Sequence, residues 1–500
     1  MLSLKCLEDE INMVNFLVEI PAIDVPVYFC VGRRDYVVPF ELVEEYYERL
    51  QAPHKEIIWF ERSAHAPNFE EPDKFCDFCK SLLYGKLSSM EVVSMNWIII
   101  GLLAVVFLFE TAVALLNRKH SLKPIPDRVK DVYDEERYQK WLTYSLEMQR
   151  SSLFQRGLQL LIMIFFLSGT FAQLEQIVAS WTSNPILQSL YFLGIVQTSM
   201  LLFSIPLKVY RTFSIEERYG FNRTTLQTFI KDLFMSYLLT IMLGGLIVAS
   251  INALYLKFSG NLWLFIALTW TTIAVIMLLS VAFLGKVLLR LFNKFTPLSE
   301  GTLRTRIDNL ASSLGFSVKA ILVMDASRRS TKSNAAFTGI GKTKEIILFD
   351  TLLDKMSEDE IMAVLGHELG HAVHKDTWRL LAQQSAIAAL YALGIGLVLQ
   401  NPSLFTVFGL SGVHFGFSMI LFSILFEPVS LLLGVPLNMV SRTSEYRADR
   451  FSAKHTDPSW MISALKVLSR ENLVNLNPHP LAVLLYYSHP PMNDRIQALQ

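Results

Sequence analysis

The chain has 500 residues, of which 52% are hydrophobic and only 18% charged, with Lys+Arg and Asp+Glu balanced at 45 each. So apolar a composition excludes the two or three soluble domains that this length would otherwise suggest. Zero net charge leaves a nucleic-acid partner without electrostatic support.

The apolar residues are unevenly spread. Residues 1–90 have the composition of ordinary soluble protein, and no cleavable signal peptide is expected at Met1, because the first apolar stretch is short and broken by charge. All four cysteines (Cys6, Cys30, Cys76 and Cys79) fall here, so the remaining chain has neither disulfides nor thiolate metal ligands. Cys76 and Cys79 form a lone C-x-x-C pair without a second half, and we read it as incidental. An apolar strand, Val25–Val31, leads to Gly32, Asp35 and Pro39; a second, Ile57–Phe60, leads to Ser63-Ala64-His65. This order resembles the last two strands of an α/β-hydrolase, where an acid and a histidine follow the final strands. The resemblance matches Asp35 to the acid and His65 to the base. With no Gly-x-Ser-x-Gly elbow there is no serine for them to activate, so the segment is expected to be an inactive fragment.

A membrane-spanning helix needs roughly 20 mostly apolar residues. Seven stretches meet or approach that length, near 97–116, 154–174, 186–206, 234–255, 262–286, 380–400 and 416–440. The loops at 117–153 and 207–233 carry eight and five Lys/Arg residues, those at 175–185 and 401–415 none, and the one at 256–261 only Lys257. The positive-inside rule therefore turns the basic loops, the segment 287–379 and the tail 441–500 to the cytoplasm. The same count puts residues 1–96 outside without a signal sequence, so 1–90 reads as a separate module joined to a membrane protein that starts naturally at Met90 or Met95. The expected organisation is a 1–90 fragment, five spans over 97–286, a cytoplasmic 287–379 segment, two spans over 380–440 and a cytoplasmic 441–500 segment. Glu110 and Glu427, at membrane depth, are expected to face a cavity or to pair between helices.

The 287–379 segment holds Gly366-His367-Glu368-Leu369-Gly370-His371. Ser357 followed by Glu358-Asp359-Glu360 starts a helix well, with a cap and acids in the first turn. On it His367 and His371 stand at i and i+4, so both imidazoles project from one face towards one ion. Glu368 lies beside them, placed to take a proton from the attacking water. Chance would supply roughly 0.01 such motifs in a chain of this length.

A catalytic zinc site takes three protein ligands and an open position. In the tail, Glu445 and Asp449 are again i and i+4. One could ligate the metal while the other fixes the tautomer of a liganding histidine; the same spacing equally describes a solvated charged face at the mouth of the last span.

His367-Glu368-x-x-His371, Glu445-Tyr446-x-Ala448-Asp449 and Tyr487-Ser488-His489-Pro490-Pro491 together resemble the type I CAAX prenyl endopeptidases. Glu217–Thr225, Ser333–Phe337 and Ile346–Leu353 add to the likeness, which runs over nearly all of 97–500. The resemblance implies a mainly α fold, a seven-helix membrane bundle enclosing a water-filled chamber, with a thermolysin-like zinc metallopeptidase segment. It implies one Zn2+ held by His367, His371 and Glu445, and Glu368 as general base. It further implies Asp449 as the partner of His367, with Arg495 beside it, and His489 as a donor to the oxyanion. Asn334 and Ala335 match the edge strand that holds substrate by strand addition. His374 is an alternative ligand, but a glutamate third ligand fits the whole pattern better. The expected partners are the lipid bilayer and a peptide or protein substrate, C-terminally prenylated if the family's substrate carries over. The expected location is the bacterial inner membrane or the endoplasmic reticulum, with the site facing the cytoplasm. The alternative is a quality-control protease resembling the heat-shock membrane metalloproteases, which share the zinc motif but have fewer spans.

Overall fold

A computed structural model describes residues 15–316, 320–338 and 345–500. The Met1 stretch and Cys6 lie outside them. The chain divides into two compact units, Met1–Ser94 and Met95–Gln500.

In the first unit, strands β1 (Val27–Gly32) and β2 (Lys55–Phe60) pair in parallel around the crossover helix Phe40–Arg49. Asp35, just beyond β1, accepts the amides of Val37 and Val38 and lies 2.9 Å from His65 Nδ1, with the His65 ring largely exposed. Cys30, Cys76 and Cys79 are free.

In the second unit, seven helices among the described residues are long and apolar enough to cross a membrane: Asn96–Ser121, Glu135–Trp181, Pro185–Glu216, Leu226–Phe258, Leu262–Phe283, Asp376–Leu399 and Phe415–His455. The second breaks at Gly169, whose φ of 114° few other residues adopt. Phe171, Phe192, Phe265, Phe405 and Phe417 form the centre of the bundle's core. The seventh helix is about 60 Å long at 1.5 Å per residue, twice the roughly 30 Å of a bilayer's hydrocarbon. It runs without interruption past residue 440, where the apolar stretch ends, and carries Glu445 and Asp449 on its polar extension. Inside the bundle, Arg156 of the second span pairs with Glu110 of the first at 3.0 Å. Both line a cavity of about 780 Å³ together with Glu427. The two outcomes expected for intramembrane acids, a cavity and a cross-helix pair, thus occur together.

Outside the bundle is a four-stranded sheet in the order β3 (Phe295–Pro297), β4 (Ala320–Met324), β6 (Glu345–Phe349), β5 (Ala335–Thr338). β4 and β6 run parallel and β5 lies antiparallel to β6 at the sheet edge. Ile346, Leu348 and Leu352 pack with Ile361 and Leu365 of the next helix and Ala464 of a C-terminal one. That helix, Glu358–Val373, carries the histidine motif. It opens with a reciprocal capping box, Ser357 accepting from the Glu360 amide and Glu360 accepting from the Ser357 amide, a pattern that stabilises a helix start by about 1 kcal/mol.

Candidate active site

The motif helix packs against the extension of the seventh span, and two glycines in the motif make this possible. A Cβ on Gly366 would stand 2.9 Å from Ser452 Oγ, and one on Gly370 only 3.1 Å from Ala448 Cα. Ser452 also donates to the Ala363 carbonyl, tying the two backbones together. Close approach brings the faces bearing His367/His371 and Glu445/Asp449 into contact.

Nitrogen atoms of His367 and His371 and a Glu445 carboxylate oxygen all lie within 4.8 Å of one another. His367 Nε2 is 3.1 Å from His371 Nε2. Glu445 Oε2 is 3.5 Å from the first and Glu445 Oε1 3.3 Å from the second. Each ring's other nitrogen is already committed. His367 Nδ1 donates to Asp449 Oδ1 at 2.8 Å, and His371 Nδ1 donates to Asp376 Oδ2 at 2.9 Å. Ionised carboxylates only accept, so the hydrogens sit on Nδ1 and both Nε2 lone pairs turn towards the shared point. Two lone pairs facing each other beside a buried carboxylate repel unless a cation lies between them. The donor set therefore fits a divalent metal, with two imidazoles and one carboxylate as ligands.

The electrostatics agree. Burial pushes the His367 imidazolium down, but the Asp449 and Glu445 carboxylates outweigh it and hold its pKa up at about 9. His371 is likewise raised, burial being overcome by Glu445 and Asp376. The pocket is built to hold positive charge. Burial raises the Glu368 carboxyl above its ordinary value, with both histidines pulling the other way.

The supports around the candidate ligands differ in depth. Asp449 is fully buried and gripped by Arg495, Nε to Oδ2 at 2.8 Å and Nη2 to Oδ1 at 2.6 Å. Asp376 is held by Arg447 and, at 3.2 Å, by Arg379. Asp376 and Arg447 were missed in the sequence; the available signals were an acid five residues after His371 and a base between Glu445 and Asp449. His374 stands apart from the cluster, with Nδ1 on the Gly370 carbonyl at 2.7 Å and its ring against Phe451. His489 is brought to the cluster's rim, largely exposed, with Nδ1 2.8 Å from Glu445 Oε2; that contact is short but poorly directed, since Oε2 accepts no well-formed hydrogen bond.

Asn334 and Ala335 begin the edge strand. Phe349 donates its amide to the Asn334 carbonyl, so the alternation of an antiparallel ladder turns the Ala335 N–H and C=O away from β6. That N–H is met by the Asn334 side chain at 2.9 Å. Ala335 shares the buried cluster of Met362 and Leu365, which sets the open strand edge alongside the motif helix.

Two family models match the chain: the CAAX prenyl protease N-terminal region with five membrane helices, over residues 114–294, and peptidase family M48, over 297–500. A CAAX prenyl protease 1 homolog of Arabidopsis thaliana is 34% identical, across 80% of this chain and 96% of that protein. CAAX prenyl protease 1 of Saccharomyces cerevisiae is 31% identical, across 76% and 90%. The crystal structure of S. mikatae Ste24p superposes with a TM-score of 0.77 at 29% identity, covering 81% of this chain and 99% of that one. Fold, spans and relatives agree, and the chain belongs to the CAAX prenyl protease family of multi-pass membrane metallopeptidases within peptidase family M48.

Proposed function

We propose that this protein is a zinc endopeptidase that removes the C-terminal residues of prenylated CAAX-type substrates, with His367, His371 and Glu445 as the zinc ligands. The convergence of two Nε2 lone pairs and one buried carboxylate carries the reading. The names of the relatives supply the substrate class. Bound there, zinc supplies Lewis acidity to the scissile carbonyl and to the attacking water. Glu368 takes a proton from that water as its oxygen bonds to the carbonyl carbon, then returns the proton to the leaving amine as the C–N bond breaks. The His489 ring, at the rim, donates an N–H to the oxyanion. Asp449 and Asp376 hold the two ligand rings in the required tautomer. The Ala335 N–H and C=O take the substrate backbone as an added strand.

The positive-inside count supports a cytoplasmic catalytic end, and the eukaryotic sources of the relatives favour the endoplasmic reticulum over a bacterial inner membrane. Residues 1–90 take no part in this chemistry. Their Asp35–His65 pair resembles two of the three members of a hydrolase triad, and the chain has no nucleophile elbow.

The decisive experiment is Glu368→Gln with a farnesylated peptide as substrate. Cleavage is expected to fall 10²- to 10⁴-fold with one zinc per chain retained; full activity would sink the mechanism. An unprenylated misfolded membrane protein, cleaved in preference to the farnesylated peptide, would overturn the substrate class.

A further inference from the structure

The Glu217–Thr225 stretch, between the third and fourth spans, has no part in the chemistry above. Yet it is bound to the chain that leads into the edge strand. Asn222 and Ser330 form an antiparallel bridge. Thr331 donates its amide to the Phe221 carbonyl at 3.2 Å, and Arg223 donates its amide to the Arg329 carbonyl at 3.0 Å. The Thr331 and Thr224 hydroxyls donate to the Gly220 and Arg329 carbonyls, both at 3.1 Å. The Arg329 guanidinium grips Asp232 of the fourth span with two bonds of 2.7 and 3.0 Å. Beyond it, Asn472 exchanges hydrogen bonds with the Ser333 amide and carbonyl at 3.3 Å. Residues 329–333 are thus fastened one after another, and the next two are Asn334 and Ala335.

Lys332 is the charged member of that run. Its ammonium lies 3.3 Å from Glu216 Oε1 and 3.1 Å from the Tyr144 hydroxyl, which itself donates to Glu216 at 2.8 Å. It also stands 4.6 Å from the centre of the Phe221 ring, a cation–π distance. Tyr144 belongs to the second span and Glu216 to the third, so this one side chain joins two membrane helices to the start of the strand. A strand that receives a substrate backbone must hold its register, because a slip of one residue turns every N–H and C=O to the other side.

We propose that Lys332, clamped by Glu216 and Tyr144, is a positioning residue that fixes the register of the substrate-receiving strand against the membrane helices. It touches no reacting atom, and its effect is on substrate binding. The inference rests on the reading of Asn334–Ala335 as the substrate-holding edge.

The test is steady-state cleavage of a farnesylated peptide by Lys332→Met, Glu216→Gln and Tyr144→Phe. Zinc content and thermal melting are measured in parallel. Lys332→Met and Glu216→Gln are expected to raise KM about 10-fold and Tyr144→Phe about 3-fold. Kcat stays within 2-fold and zinc stays at one per chain. Lys332→Arg restores KM to within 2-fold of the parent, and the Lys332→Met/Glu216→Gln double variant is no worse than either single one. A merely structural role would lower kcat, zinc content and melting temperature together at unchanged KM, and that pattern overturns the proposal. Tyr144→Phe removes one hydroxyl only, so it carries the test should the other variants fail to fold. Ala335→Pro deletes the outward N–H without breaking a ladder bond. If it leaves KM unchanged, the strand-addition reading itself fails; if it raises KM while the Lys332 set does not, only the clamp fails.

Discussion

Asp449 lets the support of the proposed metal site be tested apart from its chemistry. The substitution Asp449→Asn keeps the shape and removes the charge. It takes from the Arg495 guanidinium its ionised partner and one of two short bonds, at 2.8 and 2.6 Å, and leaves Glu445 Oε2, at 3.6 Å, as its nearest carboxylate. It also replaces the acceptor of His367 Nδ1–H with an amide that can present either oxygen or NH2. Breaking one side of a buried ion pair costs about 3–5 kcal/mol. The amide oxygen still accepts one bond, so the expected loss of stability is near the lower limit, about 3 kcal/mol. Loss of such an outer partner weakens metal binding about 10- to 100-fold. Asp376→Asn is the internal control. Asp376 lies nearer solvent, its side chain 14% exposed against 1% for Asp449, and its loss leaves Arg447 and Arg379 able to find water. Its effect on metal affinity is expected near 10-fold, with little change in melting temperature. Zinc retention against a graded chelator, with thermal melting of the same solubilised protein, reads both. The reasoning is refuted if Asp449→Asn holds zinc within 2-fold of the parent, or if Asp376→Asn loses more.

Two further outcomes follow from the packing and from the N-terminal unit. Gly370→Ala puts a Cβ 3.1 Å from Ala448 Cα and 3.2 Å from Phe451 Cβ, forcing apart the helices that carry the proposed ligands at a cost of about 1–3 kcal/mol. Melting temperature and zinc retention should fall together, whereas Gly101→Ala, whose Cβ meets nothing within 4 Å, should lower neither. His65→Ala, in the exposed pair with Asp35, should leave peptide cleavage within 2-fold of the parent; a loss above 10-fold would give residues 1–90 a part in the reaction.

What could be read in advance followed from short-range rules. The motif helix was visible from Ser357, its first-turn acids and the i, i+4 histidines, and the spans were visible from apolar runs alone. The length of the seventh membrane helix was not. The run of apolar residues stops near 440, but the helix continues to His455 because its next turns pack against Gly366 and Gly370. Glu445 and Asp449 were ambiguous for the same reason. Spacing cannot tell a solvated face from a buried one, and burial here comes from a helix distant in sequence. Asp376 was hidden by the backbone before it: Lys375 takes a left-handed φ of 58°, a conformation uncommon for lysine, and that turn swings the next residue back under His371. Lys332 and Glu216 lie far apart in sequence, and only the tertiary fold pairs them.

The seventh helix accounts for why the peptidase site belongs to a membrane bundle at all. Glu427 lines the intramembrane cavity and Glu445 sits in the ligand cluster, 18 residues on along one unbroken helix, about 27 Å by helical rise. Pro428 and Pro436 lie between them, each removing a backbone donor; such breaks are tolerated in a bundle where neighbouring helices or an enclosed polar space satisfy the freed carbonyls. Cavity and cluster therefore lie on one continuous helix and not on either side of a flexible linker.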